Sequence, residues 1–461
     1  MNKIYGVLFL VLFSLNIYAE RYEVAEWNLA NGNVDLALQQ FKGLAELGNK
    51  DAQYRIAGMY VNGTDVAKDF IEGYAWMRLA STQGNELALT FVEKIAKSLG
   101  GERKKIAISR FAELEAIYGD EAFEKRAKPE LIAKGGAGFR SQRPRKKANP
   151  NYPKYALNRG MSGTVTVEYV VGKDGRTRFH RPVSFTDDVF VGPAMAAARK
   201  FVYSPAKIDG QPVDVFAVRN KFIFSMDGGV KQKPLMDSLT NLRETAETGT
   251  SIDRYRYAIT TRSLKYFLDD KNKAQFDDAF HWNLLAAKDG LPQAKFELGT
   301  DILYGEQCRA DSSKSHFWLR SAAEEGVAKA QWLLGVERYN GILFDKDQVE
   351  GLSWIVKAAD NGDVDAKVQY AMLVAIDALS SQEAISTARE YLDSFKQKEF
   401  YDKLTYFEVN AALYARQGDF KKAVKWQKKV VKEAKKLQWL TELIKQNSEM
   451  VQKENTVTRL I

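Results

Sequence analysis

The sequence predicts a mainly α fold, in which helix-hairpin repeats of solenoid type lie on both sides of a small central α+β domain. The repeats are indicated by a step of 36 residues that joins Gly290 to Gly326 and Gly326 to Gly362, since such a step is typical of stacked helical units. Between residues 151 and 226 the helical period gives way to alternation, which is typical of strands. A length of 461 residues with 45% hydrophobic and 28% charged residues fits several soluble globular domains.

The N-terminus has the pattern of a secretory signal peptide. One positive charge at Lys3 precedes an apolar run from Ile4 to Ile17, and the small residue Ala19 follows. Because this run is shorter than the roughly 20 apolar residues that cross a bilayer, we expect residues 1–19 to be cleaved on export. A segment retained in the inner membrane is the alternative.

Changes of composition divide the rest of the chain. Residues 134–150 combine glycines with basic residues and no acid, which is typical of a flexible tether. Residues 101–126 are expected to form one charged helix. In order, the predicted regions are the signal peptide (1–19), an N-terminal helical repeat region (21–126), a basic Gly-containing linker (127–150), the α+β domain (151–226), further helical repeats (235–375) and C-terminal helices (376–461).

The spacing of glycine and tryptophan defines each repeat as a helix hairpin. A glycine 15 residues after the opening glycine supplies the turn inside a hairpin, and a later glycine ends the second helix, where φ > 0 costs little without a Cβ. A tryptophan eight residues before the closing glycine fills the space between hairpins. The turn glycines are Gly63, Gly305 and Gly341, the closing glycines are Gly84, Gly290, Gly326 and Gly362, and the tryptophans are Trp76, Trp282, Trp318 and Trp354.

These residues resemble the Sel-one-like repeat, a relative of the tetratricopeptide repeat. The entry motif A-x-G-x-x-x-A-Q-x-x-(L/I) is present from Ala45 to Ile56, and the exit motif W-x-x-x-A-(A/S)-x-x-G ends at each closing glycine. The resemblance covers about residues 21–100 and 275–375. It implies an adaptor whose repeats hold a protein partner.

The C-terminal region resembles an ordinary tetratricopeptide hairpin over residues 411–424. A basic helix follows from Lys421 to Lys436. We expect its lysines to form the solvated outer face of a terminal capping helix. A face for an acidic partner or a membrane surface is the alternative.

The central region predicts the order α-β-β-α-β. Val165, Val167 and Tyr169 share one strand face, and Thr164, Thr166 and Glu168 share the other. Asp174-Gly175 supports a hairpin turn, because that dipeptide tolerates φ > 0. The predicted elements are a short helix at 153–158, strands at 164–171 and 177–184, a helix at 191–200 and a long last strand at 213–225.

This order and its landmarks resemble the C-terminal domain of TonB, the periplasmic energy transducer. The matching residues include Tyr152-Pro153, Gly160, Gly163, Asp174-Gly175, Ala194, Ala198, Tyr203, Pro205-Ala206, Gly210, Pro212-Val213, Phe222 and Phe224. The resemblance implies that an extended peptide pairs with the last strand at the sheet edge, by main-chain hydrogen bonds. The candidate partner-binding residues on that strand are Val213, Asp214, Val215, Phe216, Ala217, Val218, Arg219 and Lys221.

Two functions follow from different classes of protein. The first is a non-enzymatic periplasmic adaptor, linked to TonB-dependent outer-membrane transport, that binds a peptide of an outer-membrane receptor or another envelope protein on the sheet and a further partner on the repeats. The alternative is an energy transducer of the TonB family, retained in the inner membrane and coupled to an ExbB–ExbD motor. Only 10 prolines and a cleavable signal favour the adaptor, because a transducer needs a Pro-rich spacer and an anchor.

No catalytic, metal or cofactor pattern is present in the sequence. His180, His281 and His316 have no metal-ligand spacing, and Cys308 is the single cysteine. The sequence contains no G-x-S-x-G or H-E-x-x-H motif. The net charge of +9 favours acidic partners but does not indicate nucleic acid. We therefore expect neither enzyme activity nor a cofactor nor nucleic-acid binding.

Overall fold

In the computed structural model, the residues described are 22–63, 66–131, 144–208, 210–226, 230–376, 379, 381–439 and 441–460. The predicted signal peptide and residues 132–143 of the predicted linker lie outside them. The chain divides into two compact units, and each unit is assembled from separate stretches of sequence. The described residues of the helical unit are 22–131 and 232–327, and those of the sheet unit are 144–231 and 328–460, with the gaps just given.

Seven helices precede the central domain in the described part of the chain. Their bounds are α1 Tyr22–Ala30, α2 Val34–Glu46, α3 Lys50–Asn62, α4 Phe70–Thr82, α5 Glu86–Ser98, α6 Gly101–Tyr118 and α7 Asp120–Arg126. The prediction of one helix over 101–126 is wrong, because the chain breaks at Gly119. Gly119 is extended at φ −73° and ψ 167°, and a Cβ there would lie 2.4 Å from the Glu115 carbonyl oxygen.

The central domain contains the predicted α-β-β-α-β order with one change. Its elements are α8 Lys154–Leu157, β1 Gly163–Val171, β2 Thr177–Phe185, a 3-10 turn Asp188–Phe190, α9 Val191–Ala198, β3 Ala206–Ile208, β4 Gln211–Val213 and β5 Val215–Phe224. The predicted last strand is therefore two strands, β4 and β5, separated at Asp214. The cause is local, because the Asp214 carboxylate accepts a hydrogen bond from the Lys173 backbone N–H at 2.9 Å.

The remaining helices continue to the end of the described chain. They are α10 Gln232–Thr248, α11 Ser251–Leu264, α12 Asp270–Ala274, α13 Ala279–Lys288, α14 Pro292–Tyr304, α15 Ser312–Glu324, α16 Ala328–Asn340, α17 Gln348–Asp360, α18 Val364–Ala375, α19 Gln382–Asp393, α20 Lys403–Arg416, α21 Phe420–Leu437 and α22 Glu442–Gln452. Helices α14, α16 and α18 begin at 292, 328 and 364, so the 36-residue step is a structural repeat. No helix of the described residues is long and apolar enough to cross a membrane.

The glycine positions behave as predicted. The turn glycines Gly63, Gly305 and Gly341 have φ between 66° and 70°, and the closing glycines have φ between 81° and 90°. A Cβ carbon is unfavourable at these angles, so the hairpin boundaries are fixed by backbone conformation.

The helical unit has its own core around two repeat tryptophans. Trp76 and Trp318 are almost fully buried with Phe41 among the small alanines of the hairpins. The Trp318 indole N–H donates to the Ala127 carbonyl oxygen at 2.8 Å. Trp318 thus fills the space between helices and also holds the backbone at Ala127, directly after α7.

The sheet of the central domain has three antiparallel strands in the order β2-β1-β5. One face, called here the inner face, packs against α9 and is lined by aromatic and aliphatic side chains. Phe190 and Phe224 lie 4.7 Å apart, and Tyr169 packs edge-on to Phe201. The predicted Asp174-Gly175 turn is confirmed, with Gly175 at φ 80° and its N–H donating to the Gly172 carbonyl oxygen at 2.7 Å.

Candidate protein-interaction site on the central sheet

Strand β5 lies at one edge of the sheet and pairs along one side with β1. Among the described residues, no other strand pairs with it. An edge strand presents backbone N–H and C=O groups to which a further strand can be added. The fold therefore places the predicted strand where the resemblance requires it.

The eight candidate residues do not share one environment. Val215, Phe216 and Ala217 are buried, whereas Val218, Arg219 and Lys221 are partly exposed. Val213 belongs to β4 and pairs with Ala206 of β3, and Asp214 caps the β1–β2 hairpin. The accessible part of the edge is thus the C-terminal half of β5. It includes Ile223, 45% exposed, which the sequence prediction did not include.

Two bulges shape the opposite face of the sheet, called here the outer face. Phe179 and His180 of β2 stand opposite one β1 residue, and Phe216 and Ala217 of β5 stand opposite the next. Phe179 and Ala217 have φ of 52° and 49°. A left-handed non-glycine residue costs about 1–3 kcal/mol and persists where the surroundings fix it. Here the surroundings are the repeat helices of the same unit.

Trp332 of α16 is the centre of that packing. Its ring lies 6.2 Å from the ring of Phe179 and 6.1 Å from that of Phe216. The Arg181 guanidinium lies 4.8 Å from the same ring, within the range of a cation–π contact. The two bulges therefore direct one aromatic side chain from each outer strand onto one tryptophan.

A buried charge network surrounds this contact. The Arg181 Nε donates to Glu168 Oε1 at 2.9 Å, and its Nη1 donates to Asp365 Oδ2 at 3.1 Å. Asp363 lies 3.7 Å from the same Nη1, and the Arg219 Nε donates to Glu168 Oε2 at 2.8 Å. All five side chains are at most 18% exposed. Such a network is stable only while every charge keeps its partners.

The network shifts acid pKa values in opposite directions. Burial opposes ionisation of Glu168, yet the adjacent Arg181 and Arg219 hold its pKa at about 2. Burial raises the pKa of Asp365 to about 7, assisted by the negative charges of Asp363 and Glu168 and opposed by Arg181. Asp363, Asp365 and Glu168 surround the same Arg181 guanidinium. Ionisation of one of these carboxyl groups therefore disfavours ionisation of the others.

The second edge of the sheet, formed by β2, is contacted by residues of the C-terminal helical region. The Phe179 backbone N–H donates to Asp402 Oδ2 at 3.0 Å, and the Phe400 ring lies 5.6 Å from that of Phe179. Asp402 is also the N-cap of α20 and accepts from the Thr405 N–H. The middle of β2 is thus engaged by a side chain of its own unit, and β5 is the more accessible edge.

Sequence reasoning did not identify the outer-face contacts. Glu168 was placed on the polar strand face, which is usually solvated, and Trp332 is not one of the periodic tryptophans. The contacts of the sheet with Trp332 and Asp365 join residues that are more than 100 positions apart, and no local pattern indicates contacts at such a separation. The available signal was the presence of two arginines, Arg178 and Arg181, within the predicted strand 177–184.

Comparisons with known proteins support the two resemblances. A family model described as the Gram-negative bacterial TonB protein C-terminal matches residues 148–226. A Sel1 repeat model matches residues 50–85, 292–327 and 328–363. Neither is an enzyme family, and proteins with the Sel1-like fold are typically scaffolds. No curated protein matches this chain.

Two solved structures are similar. A Sel1 repeat protein from Oxalobacter formigenes is 30% identical, with 29% of this chain and 96% of that chain covered and a TM-score of 0.25. The protein c5321, a protective antigen present in uropathogenic Escherichia coli strains and displaying an SLR fold, is 17% identical, with 92% and 76% covered and a TM-score of 0.37. The chain belongs to the Sel1 repeat family and carries a TonB C-terminal domain at its centre.

Proposed function

We propose that this protein is a non-enzymatic adaptor of the Gram-negative periplasm, linked to TonB-dependent outer-membrane transport. Its TonB C-terminal domain binds an extended segment of an envelope protein along β5, and its Sel1 repeats hold a further partner. The observation that carries the proposal is the position of β5 at the sheet edge with a partly exposed C-terminal half. Edge strands and helical repeats are both recurrent protein-recognition surfaces.

The binding mode is the addition of a strand. Residues 218–224 span about 23 Å in an extended conformation and pair with a peptide of similar length through main-chain hydrogen bonds. Selectivity comes from alternate side chains of β5 at the end of the outer face, where Ile223 is exposed. An apolar residue of the partner packs on Ile223, and no chemical step is involved.

Site-specific photo-crosslinking in living cells tests this mode. A benzophenone amino acid replaces Ile223 on β5, and the matched control carries it at Tyr155, which is 54% exposed on α8 of the same domain. We expect a discrete adduct from position 223 that is absent from position 155. Equal adducts at both positions, or none at 223, contradict edge-strand binding.

Two outcomes separate the adaptor from the energy transducer. A TonB-dependent receptor in the adduct supports the link to outer-membrane transport, whereas another envelope protein supports an adaptor without it. Detection of residues 1–19 in the membrane-bound mature protein, together with loss of siderophore or cobalamin uptake on deletion, would replace the adaptor by the transducer.

A further inference from the structure

Five lysines form a stripe along the outside of α21. Their spacing is 4, 3, 4 and 3 residues, so they fall within an arc of about 80° on the helix and extend over about 21 Å. They lie opposite the buried side, which contains Ala423, Gln427, Val430 and Ala434. The lysines of the stripe are Lys421, Lys425, Lys428, Lys432 and Lys435, and each is exposed.

The lysines of the stripe differ from the neighbouring lysines in their ion pairing. Lys422 pairs with Asp419 at 2.9 Å, and Lys436 pairs with Glu433 at 3.4 Å. Within the described part of the chain, the five stripe lysines form no such ion pair. Five like charges in one row create a positive potential that favours an anionic partner.

A groove of about 450 Å³ runs beside the first half of the stripe, between α21 and the end of α22. Lys421, Lys425 and Lys428 form one wall, and Glu454 is the one carboxylate in its lining. Apolar side chains lie in the lining as well, namely Phe420, Val424 and Val451, of which Val451 is buried and the others are half-buried. The groove thus joins a basic wall to a recessed apolar floor.

We propose that this groove binds an acidic peptide segment that carries an apolar anchor, contributed by a protein partner. Carboxylates of the segment face the lysine wall, and the apolar side chain enters the floor at Val424. The surface is separate from β5, so it stands or fails independently of strand addition, and it adds a second partner chemistry to the adaptor.

The shape of the surface favours a peptide over a lipid bilayer. A helix that binds a membrane surface inserts exposed apolar side chains below its basic residues. Of the described residues in α21 and α22, no large apolar side chain is exposed. A recessed floor accepts a protruding side chain, whereas a flat bilayer does not reach it.

Binding of a defined peptide to the full-length protein tests the proposal. The probe is a fluorescent peptide of repeated Glu-Leu-Glu-Ser, and the reference peptide has Ser in place of Leu. In the variant K421E/K425E/K428E we expect affinity for the Leu peptide to fall about tenfold, at about twofold per exposed ion pair. In V424S we expect the preference for the Leu peptide over the Ser peptide to disappear.

The matched control has the same change in net charge at exposed lysines of the helical unit, K97E/K104E/K105E, and is expected to bind within about twofold of the native protein, because none of these three lysines lines the groove. Circular dichroism verifies that each variant is folded. The proposal is overturned if the native protein does not bind the Leu peptide saturably, or if both triple variants lose affinity equally. It is also overturned if vesicles with phosphatidylglycerol bind the stripe and the peptide does not compete.

Discussion

The inner and outer faces of the three-stranded sheet are both largely buried, but the inner face is covered by apolar side chains and the outer face by charged and aromatic ones. The inner face packs aromatic and aliphatic side chains against α9, which follows β2 in sequence after one 3-10 turn. The outer face buries Glu168, Arg181 and Trp332 under repeat helices that are distant in sequence. The comparison shows that a TonB C-terminal domain can use its polar strand face to join the repeats of its own chain, while β5 stays at the edge of the described sheet.

The largest expected effect is the loss of the aromatic centre of the outer face. Trp332→Ala removes the ring on which Phe179 and Phe216 pack, and we expect it to destabilise the sheet unit by about 4 kcal/mol. Urea unfolding followed by circular dichroism measures the change. Trp332→Phe, which keeps a ring, is the matched control and should cost less than half as much. Equal effects of the two variants would mean that the ring contacts are not the source of the stability.

The next largest effect is expected from removal of the Arg181 charge on the outer face. Arg181→Ala leaves Glu168, Asp363 and Asp365 without their shared cation, and we expect a loss of about 3 kcal/mol, the lower end for breaking a buried ion pair. Combining it with Glu168→Gln should cost less than the sum of the two single changes, because the carboxylate that Arg181 neutralises is then absent. Arg159→Ala, at an exposed position, should change the stability little. Strict additivity of the double variant would contradict the network.

The two faces should respond to pH in opposite directions. Burial lowers the pKa of His180, on the inner side, from 6.5 to about 3, so its contribution to stability is present above pH 6.5 and is lost as the pH falls. The pKa of Asp365 on the outer face is raised from 3.8 to about 7, so its contribution is present below pH 3.8 and is lost as the pH rises through 7. Between pH 4 and 6.5 the two dependences oppose each other.

Removing one of the two titrating groups at a time isolates the pH dependence that the other contributes. With Asp365→Asn, we expect the free energy of unfolding to rise with pH from 4.5 to 6.5, because the His180 dependence is then unopposed. With His180→Gln, we expect it to fall over the same window. Urea unfolding at several pH values measures both slopes. Identical slopes in the two variants would contradict the assignment of these groups to opposite dependences.

The smallest effect concerns a hydrogen bond of the inner face. The hydroxyls of Tyr169 and Tyr203 lie 2.6 Å apart in a buried position. Tyr169→Phe removes one partner of this pair and keeps the ring, so we expect a loss of about 1 kcal/mol. Thermal unfolding with a matched Tyr155→Phe control at an exposed site provides the comparison. A loss as large as that of Arg181→Ala would mean that the inner face also depends on polar contacts.

The sequence allowed prediction of what depends on local spacing. The repeat step, the φ > 0 glycines and the alternation of Val165, Val167 and Tyr169 all followed from residues close in sequence, and the structure confirms them. The split of the last strand at Asp214 was not predictable in this way, because it depends on the hydrogen bond from the Lys173 N–H, which is 41 positions away in the sequence. The bulge within β5 was not predictable either, because it places an alanine, Ala217, in a conformation for which glycine is the usual signal. The break at Gly119 had a signal, a glycine between two charged segments, that the prediction of one helix passed over.

The candidate site was predictable only in part, for a related reason. The family resemblance placed the edge strand, but burial of Phe216 depends on Trp332, and no periodicity connects these two positions. Polar residues on one strand face are as consistent with solvent as with a buried network, because both need the same residue types. Whether Glu168 faces water or Arg181 is decided by helices that begin at residue 328.

The central claim is that the sheet and the repeat helices 328–460 form one cooperative unit through the outer face. Hydrogen exchange of the full-length protein during a urea titration tests it directly, with peptides from β1 (163–171) and α16 (328–340) as the two probes. We expect both peptides to lose protection at the same urea concentration, and we expect Trp332→Ala to lower both midpoints together. Separate midpoints for β1 and α16 in the native protein would contradict it, since they would show a sheet that folds without its helices.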